Sequence, residues 1–183
     1  MRRTRVARLI VALVSGWVTL HATTLSRLNL DEMVDKSTAI VRARVVATRS
    51  ELRGSLIYTF YTIQPLERWK GTVSASSEIV ILGGEAGGVR QSFAGSPQLA
   101  IGDEYVFFLW TGQSGLTQIM GLSQGVFRIQ PDGRGGYLAC RAASTETLLD
   151  PKTGRVVYDE TLRMPLVELR SCVKNRVAPA RAR

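Results

Sequence analysis

The sequence predicts a mainly β protein: a small closed or partly open β-barrel with a short helix near its N-terminal end and a helix near its C-terminal end. Three observations carry that expectation. Short apolar runs with period-two alternation recur along the chain, glycine-rich turns separate them, and helical apolar spacing is confined to the two ends.

Asn29 followed three residues later by Glu32 is a helix-start pattern, with Leu30, Met33 and Val34 spaced to face a core and an end expected near Ser37. From Ile40 the pattern turns to strand. Val41, Ala43, Val45 and Ala47 fall on one face, and Arg42, Arg44 and Thr48 on the other. Residues 56–69 form a long aromatic and β-branched strand in which Pro65 marks an edge or a bulge, and Lys70-Gly71 ends it. Residues 78–82 are a further strand, after which Gly83, Gly84, Gly87 and Gly88 predict a weakly ordered loop. The most apolar strand, residues 105–110, is expected at the centre of the core, and shorter strands follow at 116–120, 126–130 and 136–141. Pro131-Asp132-Gly133 and the segment 150–154 read as turns, with a last strand at 155–158. Leu162, Leu166, Leu169 and Val173 recur at helical spacing, which Pro165 permits if the helix starts beside it.

Residues 1–22 have the three parts of a secretion signal: Arg2, Arg3, Arg5 and Arg8, then an apolar run from 9 to 20, then small residues with Leu20-His21-Ala22 as the cleavage site. The run is shorter than the ~20 residues that span a bilayer, which favours a cleaved signal over the alternative of an uncleaved N-terminal anchor, and no stable membrane insertion is expected after cleavage. Residues 23–175 are then one barrel domain and 176–183 a basic, solvated tail carrying Arg176, Arg181 and Arg183. The formal net charge of +9 falls on cleavage, because basic residues leave and acidic ones do not. A secreted or periplasmic location removes nucleic acid as the natural partner of what remains. An oxidising compartment permits Cys140 and Cys172 to form a disulfide, and two separately buried thiols are the alternative.

Three stretches occur in a family-like order: TAIVRARV (38–45), a strand ending ERWKG (67–71), and GDEYVFFL (102–109). Over residues 38–110 the chain resembles the N-terminal domain of tissue inhibitors of metalloproteinases and the related netrin-like modules. The resemblance implies a five-stranded OB-like barrel. In those inhibitors an N-terminal cysteine binds the protease zinc, whereas the expected mature start here is Thr23-Thr24, so the inhibitory mechanism transfers to no residue of this chain. The chain also resembles a group of uncharacterised secreted bacterial proteins with a KS-AIV opening (36–41), a GGE-GG loop (83–88) and a GLSQG stretch (121–125).

The lone histidine, His21, lies in the signal, so the mature protein lacks the commonest general base and metal ligand. Gly121 to Gly125 matches G-x-S-x-G around Ser123, but strands flank it and the base is missing, so a turn or bulge is expected. Ser171 and Lys174 read as S-x-x-K, and Lys152-Thr153-Gly154 as K-T-G, in an order reversed from that of serine enzymes using both. The pairs Asp103-Glu104 and Asp159-Glu160 lack metal-site spacing, and no metal or other cofactor is expected. Tyr58, Phe60, Tyr61 and Trp69 are read as core in preference to a stacking surface.

These readings lead to a non-catalytic module that binds a secreted or envelope protein or a glycan, with no catalytic residues. The alternatives are a histidine-free serine hydrolase, or a protease inhibitor without the zinc-ligating cysteine. The expected contact surface joins the loop from Gly83 to Pro97 with the turn 121–125. Its candidate residues are Gly83, Gly84, Glu85, Gly87, Gly88, Ser123 and Gln124.

Overall fold

A computed structural model describes residues 24–74, 77–144 and 146–178. Its elements are β1 (Thr24–Ser26), α1 (Leu30–Lys36), β2 (Ala39–Arg53), β3 (Leu56–Lys70), β4 (Ser77–Leu82), β5 (Gly84–Ala86), β6 (Val89–Gln91), β7 (Glu104–Thr111), β8 (Thr117–Ile119), β9 (Val126–Pro131), β10 (Tyr137–Arg141), β11 (Thr147–Leu149), β12 (Val156–Val157), β13 (Leu162–Pro165) and α2 (Leu166–Val177). The expected signal, residues 1–22, lies outside the described residues, as does the tail from 179. No helix among the described residues is long and apolar enough to cross a membrane.

The mainly β class with a helix towards each end is present. Among the described residues the main sheet runs β13-β10-β9-β7-β2-β3-β4, with β8 added to the edge of β7 beyond β9. It does not close into a barrel: β4 and β8 both contribute to one apolar cluster, through Ile79, Ile81 and Ile119, but share no strand pairing. The curl comes from β2, whose register against β3 shifts at three places, between Ile40 and Val41, Arg42 and Ala43, and Val45 and Ala47. Each shift bends and twists the ribbon. Pro65 sits opposite Ala43 at the second shift, and β4 pairs with β3 no further than Ile63, so the missing N–H falls at both a bulge and an unpaired edge.

β7 is central and apolar on both faces. Val106 and Phe108 point into a cluster with Met33 and Val34 of α1 and Leu166, Leu169 and Val173 of α2, while Tyr105, Phe107 and Leu109 point into a second cluster with Val41, Ala43, Val45, Ile63 and Ile79. Helices cover one face and the curled sheet covers the other. Phe60 and Trp69 are buried as expected. The Arg49 guanidinium lies 4.0 Å from the Phe60 ring centroid and that of Arg53 lies 4.8 Å away.

The helix ends follow the sequence pattern. Asn29 Oδ1 accepts from Glu32 N at 2.8 Å, and Glu32 Oε2 accepts from Asn29 N at 3.0 Å. Lys70 Nζ donates to the Val34 and Asp35 carbonyls at the other end, where a cation also suits the helix dipole. Leu162 departs from the expectation. It belongs to β13, paired with Arg141, because the chain stays extended until Pro165 and the apolar spacing spans a strand and a helix. Arg176, assigned to the tail from sequence, is within α2 and its Nε donates to Asp35 Oδ1 at 2.9 Å. The expected weakly ordered loop at 83–88 is instead the β5–β6 hairpin, with Gly87 and Gly88 at positive φ in its turn.

Charged groups on the helical side tie β2, β3, β7 and α2 together. Arg42 reaches Glu67 at 3.0 Å and Glu104 at 2.7 Å, Arg44 reaches Glu104, and Arg170 reaches Glu67. Burial pushes the Glu67 and Glu104 carboxyls up, but the Trp69 and Arg42 donors to Glu67 and the Arg42 and Arg44 donors to Glu104 outweigh it, leaving both below the ordinary carboxylate value. A carboxyl depressed in the folded state contributes stability above its unfolded pKa and loses it as pH falls through the lower folded value. Glu104→Gln is expected to cost about 1–3 kcal/mol near neutral pH, between exposed and buried pairs, and to make the acid loss of stability shallower. Urea denaturation from pH 7 to pH 3 reads both; parallel pH profiles for the two proteins would exclude this role.

Candidate functional site

The segment from Ser92 to Asp103 crosses the open side of the curled sheet between β6 and β7 as a strap. Side chains and backbone hold it along its length. Ser96 Oγ donates to the Leu82 carbonyl, Ala100 N donates to Tyr105 Oη at 3.0 Å, Gly102 N donates to the Val45 carbonyl and Val45 N to the Asp103 carbonyl. Ser123 N donates to the Gly95 carbonyl, so the turn Leu122–Gly125 touches the strap.

Three cavities among the described residues adjoin the strap. The largest, about 560 Å³, is an open bowl between the strap and the ends of β7, β9 and β10. A groove of about 200 Å³ lies between β4 and β8, lined by Ile81, Phe93, Ile119 and Leu122. A third, of about 240 Å³, lies towards the β5–β6 hairpin.

The bowl is built on a cross-strand row. Tyr105 of β7 is opposite Arg128 of β9, Arg128 is opposite Cys140 of β10, and Cys140 is opposite Arg163 of β13. Directly opposed residues in antiparallel strands share a face, so this row projects to one side of the sheet. Arg128 pairs with Asp103 at 2.7 Å, and the same carboxylate oxygen accepts from Tyr105 Oη at 3.3 Å. The Arg128 side chain is 55% exposed. An exposed pair of this kind contributes about 0–1 kcal/mol, so Arg128 can change partners at little cost. Burial, with a smaller contribution from Asp103, raises the Tyr105 pKa against the opposing Ala100 N–H and Arg128, so the hydroxyl stays protonated and donates.

Beneath the bowl lies a buried ion pair. The Arg141 side chain is 6% exposed and that of Asp159 is 2% exposed, with Nη2 and Oδ1 2.6 Å apart. Asp159 Oδ2 accepts from Ser144 N, and Arg141 Nη1 makes a long 3.4 Å contact with the Gln124 carbonyl. Arg141 Nε is buried without a hydrogen-bond partner among the described residues. Burial holds the guanidinium pKa below its ordinary value, Asp159 opposes that and Arg27 reinforces it. From sequence, Asp103 and Asp159 are read only against metal-site spacing, and Arg128 and Arg141 carry no signal of a site role beyond strand periodicity. A signal existed for Arg141: a charged residue two places after Ala139 sits where strand periodicity puts the core face.

The expected contact residues divide among different environments. Ser123 lines the bowl. Gly83, Gly84 and Glu85 line the third cavity, on the hairpin side of the strap. A Cβ on Gly84 would meet Thr59 Oγ1 at 2.1 Å, so this glycine serves close packing of the hairpin on β3. Gly87 and Gly88 turn the exposed hairpin tip. Gln124 is a buried strut, 1% exposed: its Oε1 accepts from Leu28 N and its Nε2 donates to the Ser26 carbonyl, fixing the chain after β1 to the turn.

The expected disulfide is not formed: Cys140 and Cys172 are both free. Strand alternation explains it. Ala139 faces the helices, so Cys140 faces the bowl, while Cys172 is exposed on α2 across the sheet. In the S-x-x-K segment, Ser171 Oγ donates to the Val167 carbonyl one helical turn back. No group of three or more potential metal ligands occurs among the described residues.

No protein-family model, curated protein or solved structure matches the chain. The site therefore rests on its own geometry.

Asp159→Asn leaves the Arg141 charge buried without its counter-ion and is expected to lower stability by about 3–5 kcal/mol. Gln124→Ala, which strands the Leu28 N–H and the Ser26 carbonyl, is expected to cost about 1–3 kcal/mol, while Ser123→Ala stays within about 0.5 kcal/mol. Denaturant midpoints test the set. Equal midpoints for Asp159→Asn and Ser123→Ala would remove the structural role of the buried pair.

Proposed function

We propose that this protein is a secreted or periplasmic, non-catalytic binding module for an envelope or extracellular protein or glycan, and that it contacts its partner through the bowl. The observation that carries the reading is the combination of an open concavity of about 560 Å³ with Arg128, Asp103 and Ser123 on its lining, above a buried Arg141–Asp159 pair. Polar groups on a rigid sheet, walled by a strap, are a common recognition design. The hydrolase alternative receives less support, since the Ser171 hydroxyl is engaged by its own helix. The signal-like residues 1–22 support export.

The netrin-like and OB-like reading is kept as part of this proposal. The curled run β8-β7-β2-β3-β4, with Ile81 and Ile119 in one cluster across the gap, is compatible with an OB-like barrel left open between β4 and β8. A functional likeness to the metalloproteinase inhibitors is not proposed.

The test is capture of soluble envelope and secreted material on the immobilised exported protein, comparing wild type with Ala142→Trp, which fills the bowl from an exposed position, and with Glu85→Ala in the third cavity. Partners are expected to persist with Glu85→Ala and to be lost with Ala142→Trp. Retention by both variants, or turnover of ester, amide or glycoside substrates that one serine substitution abolishes, would overturn the proposal. Intact mass of the exported protein tests cleavage after Ala22, and a retained N-terminus would convert the secreted reading to an anchored one.

A further inference from the structure

Resting on the reading of the bowl as a binding site, we infer that its ligand carries a carboxylate on a small apolar body, with Arg128 as the charged contact. The balance of hydrogen-bonding groups leads there. Asp103 Oδ2 is paired with Arg128 at 2.7 Å and accepts from Tyr105 Oη at 3.3 Å. Arg128 is the half-exposed cation of the lining: it uses one nitrogen in its ion pair with Asp103 and keeps the rest of its fork for another acceptor. A ligand that brings acceptors gives that fork its partners, and a carboxylate matches the planar guanidinium in two parallel bonds.

The rest of the lining fixes the body of the ligand. Pro97, Leu99, Ala100, Val126 and Ala142 supply apolar wall. Tyr105 is buried at 4% exposure and presents no open ring face for stacking a sugar. The wall therefore suits an aliphatic side chain better than a pyranose. Such a group occurs as a free N-acyl amino acid and as the C-terminal residue of a peptide, a recurring target of recognition. Asp103 acts here as an internal stand-in for the ligand, holding the Arg128 fork until a carboxylate displaces it.

The experiment is calorimetric titration of the exported protein with N-acetyl-leucine, N-acetyl-leucinamide, and the peptide acetyl-Gly-Gly-Leu with free and amidated ends. The acids are expected to bind at least about tenfold more tightly than the matching amides. Preference for the peptide over N-acetyl-leucine identifies a chain end as the natural source, and the reverse identifies a free acid. Arg128→Gln, at a half-exposed position, is expected to reduce the acid-to-amide ratio to about one, whereas Asp103→Asn is expected to raise acid affinity several-fold by releasing Arg128. Unchanged melting temperatures for both variants establish that the fold is retained. Acids and amides binding equally would overturn the carboxylate inference while leaving the bowl as a binding site. An acid preference that survives Arg128→Gln would overturn the assignment of the contact. Absence of binding by every probe up to about 10 mM would overturn the inference, and the capture experiment then decides separately whether the bowl binds anything.

Discussion

The architecture depends on one constraint, the need to cover both faces of β7. Phe107 and Phe108 are adjacent, fully buried and directed to opposite sides of the sheet. Truncating either would cost about 3–5 kcal/mol, so neither face can be left to water. Two different solutions meet this need. On the Phe108 side α1 and α2 bring Met33, Leu166, Leu169 and Val173; on the Phe107 side there is no α-helix among the described residues, and the sheet covers itself by curling at the β2 bulges.

Covering a face by curling leaves an opening where the last strands fail to meet. The strap fills that opening, and the cavities beside it follow from its shape. A segment of this kind cannot be held by apolar contacts alone, because its backbone donors and acceptors need partners. Tyr105, Ser96 and Gly102 provide them from the strap and its neighbours, while Gln124 fixes the adjoining turn to the chain after β1. The polar residues around the bowl thus have two roles. Gln124 and Asp159 are engaged by the fold, whereas among the described residues Arg128 is held by an exposed pair and is available.

The two cysteines illustrate the same division. In sequence they are a plausible pair, one on a late strand and one on the last helix. The pleat of β10 sends Cys140 to the bowl side, because Ala139 occupies the helical side, and α2 then carries Cys172 on the far side of the sheet. A one-residue offset in strand phase decides the matter.

Local pattern by itself determined the α1 cap at Asn29 and Glu32, the alternation along β2 from Val41 to Val45 but not at Ala47, which is exposed beyond a register shift, the double-sided apolar character of β7, the bulge at Pro65 and the turn at Asp132, whose side chain accepts from Arg134 N and Gly136 N. These are decided by interactions among residues close in the chain, and the strand and helix periods make them readable. The short strands β1, β11 and β13 carried too few residues to show a period, and the spacing from Leu162 to Val173 concealed a change from strand to helix. The candidate site was legible only in outline: proximity of the strap to the 121–125 turn was expected, while the Gly83–Gly88 side and Gln124 proved to have other surroundings. Tertiary structure alone decided that Arg128, Cys140 and Arg163 form one row, that Arg141 is buried against Asp159 and that Gln124 bridges to Leu28, because strand register and sheet curvature set those contacts between segments separated along the chain.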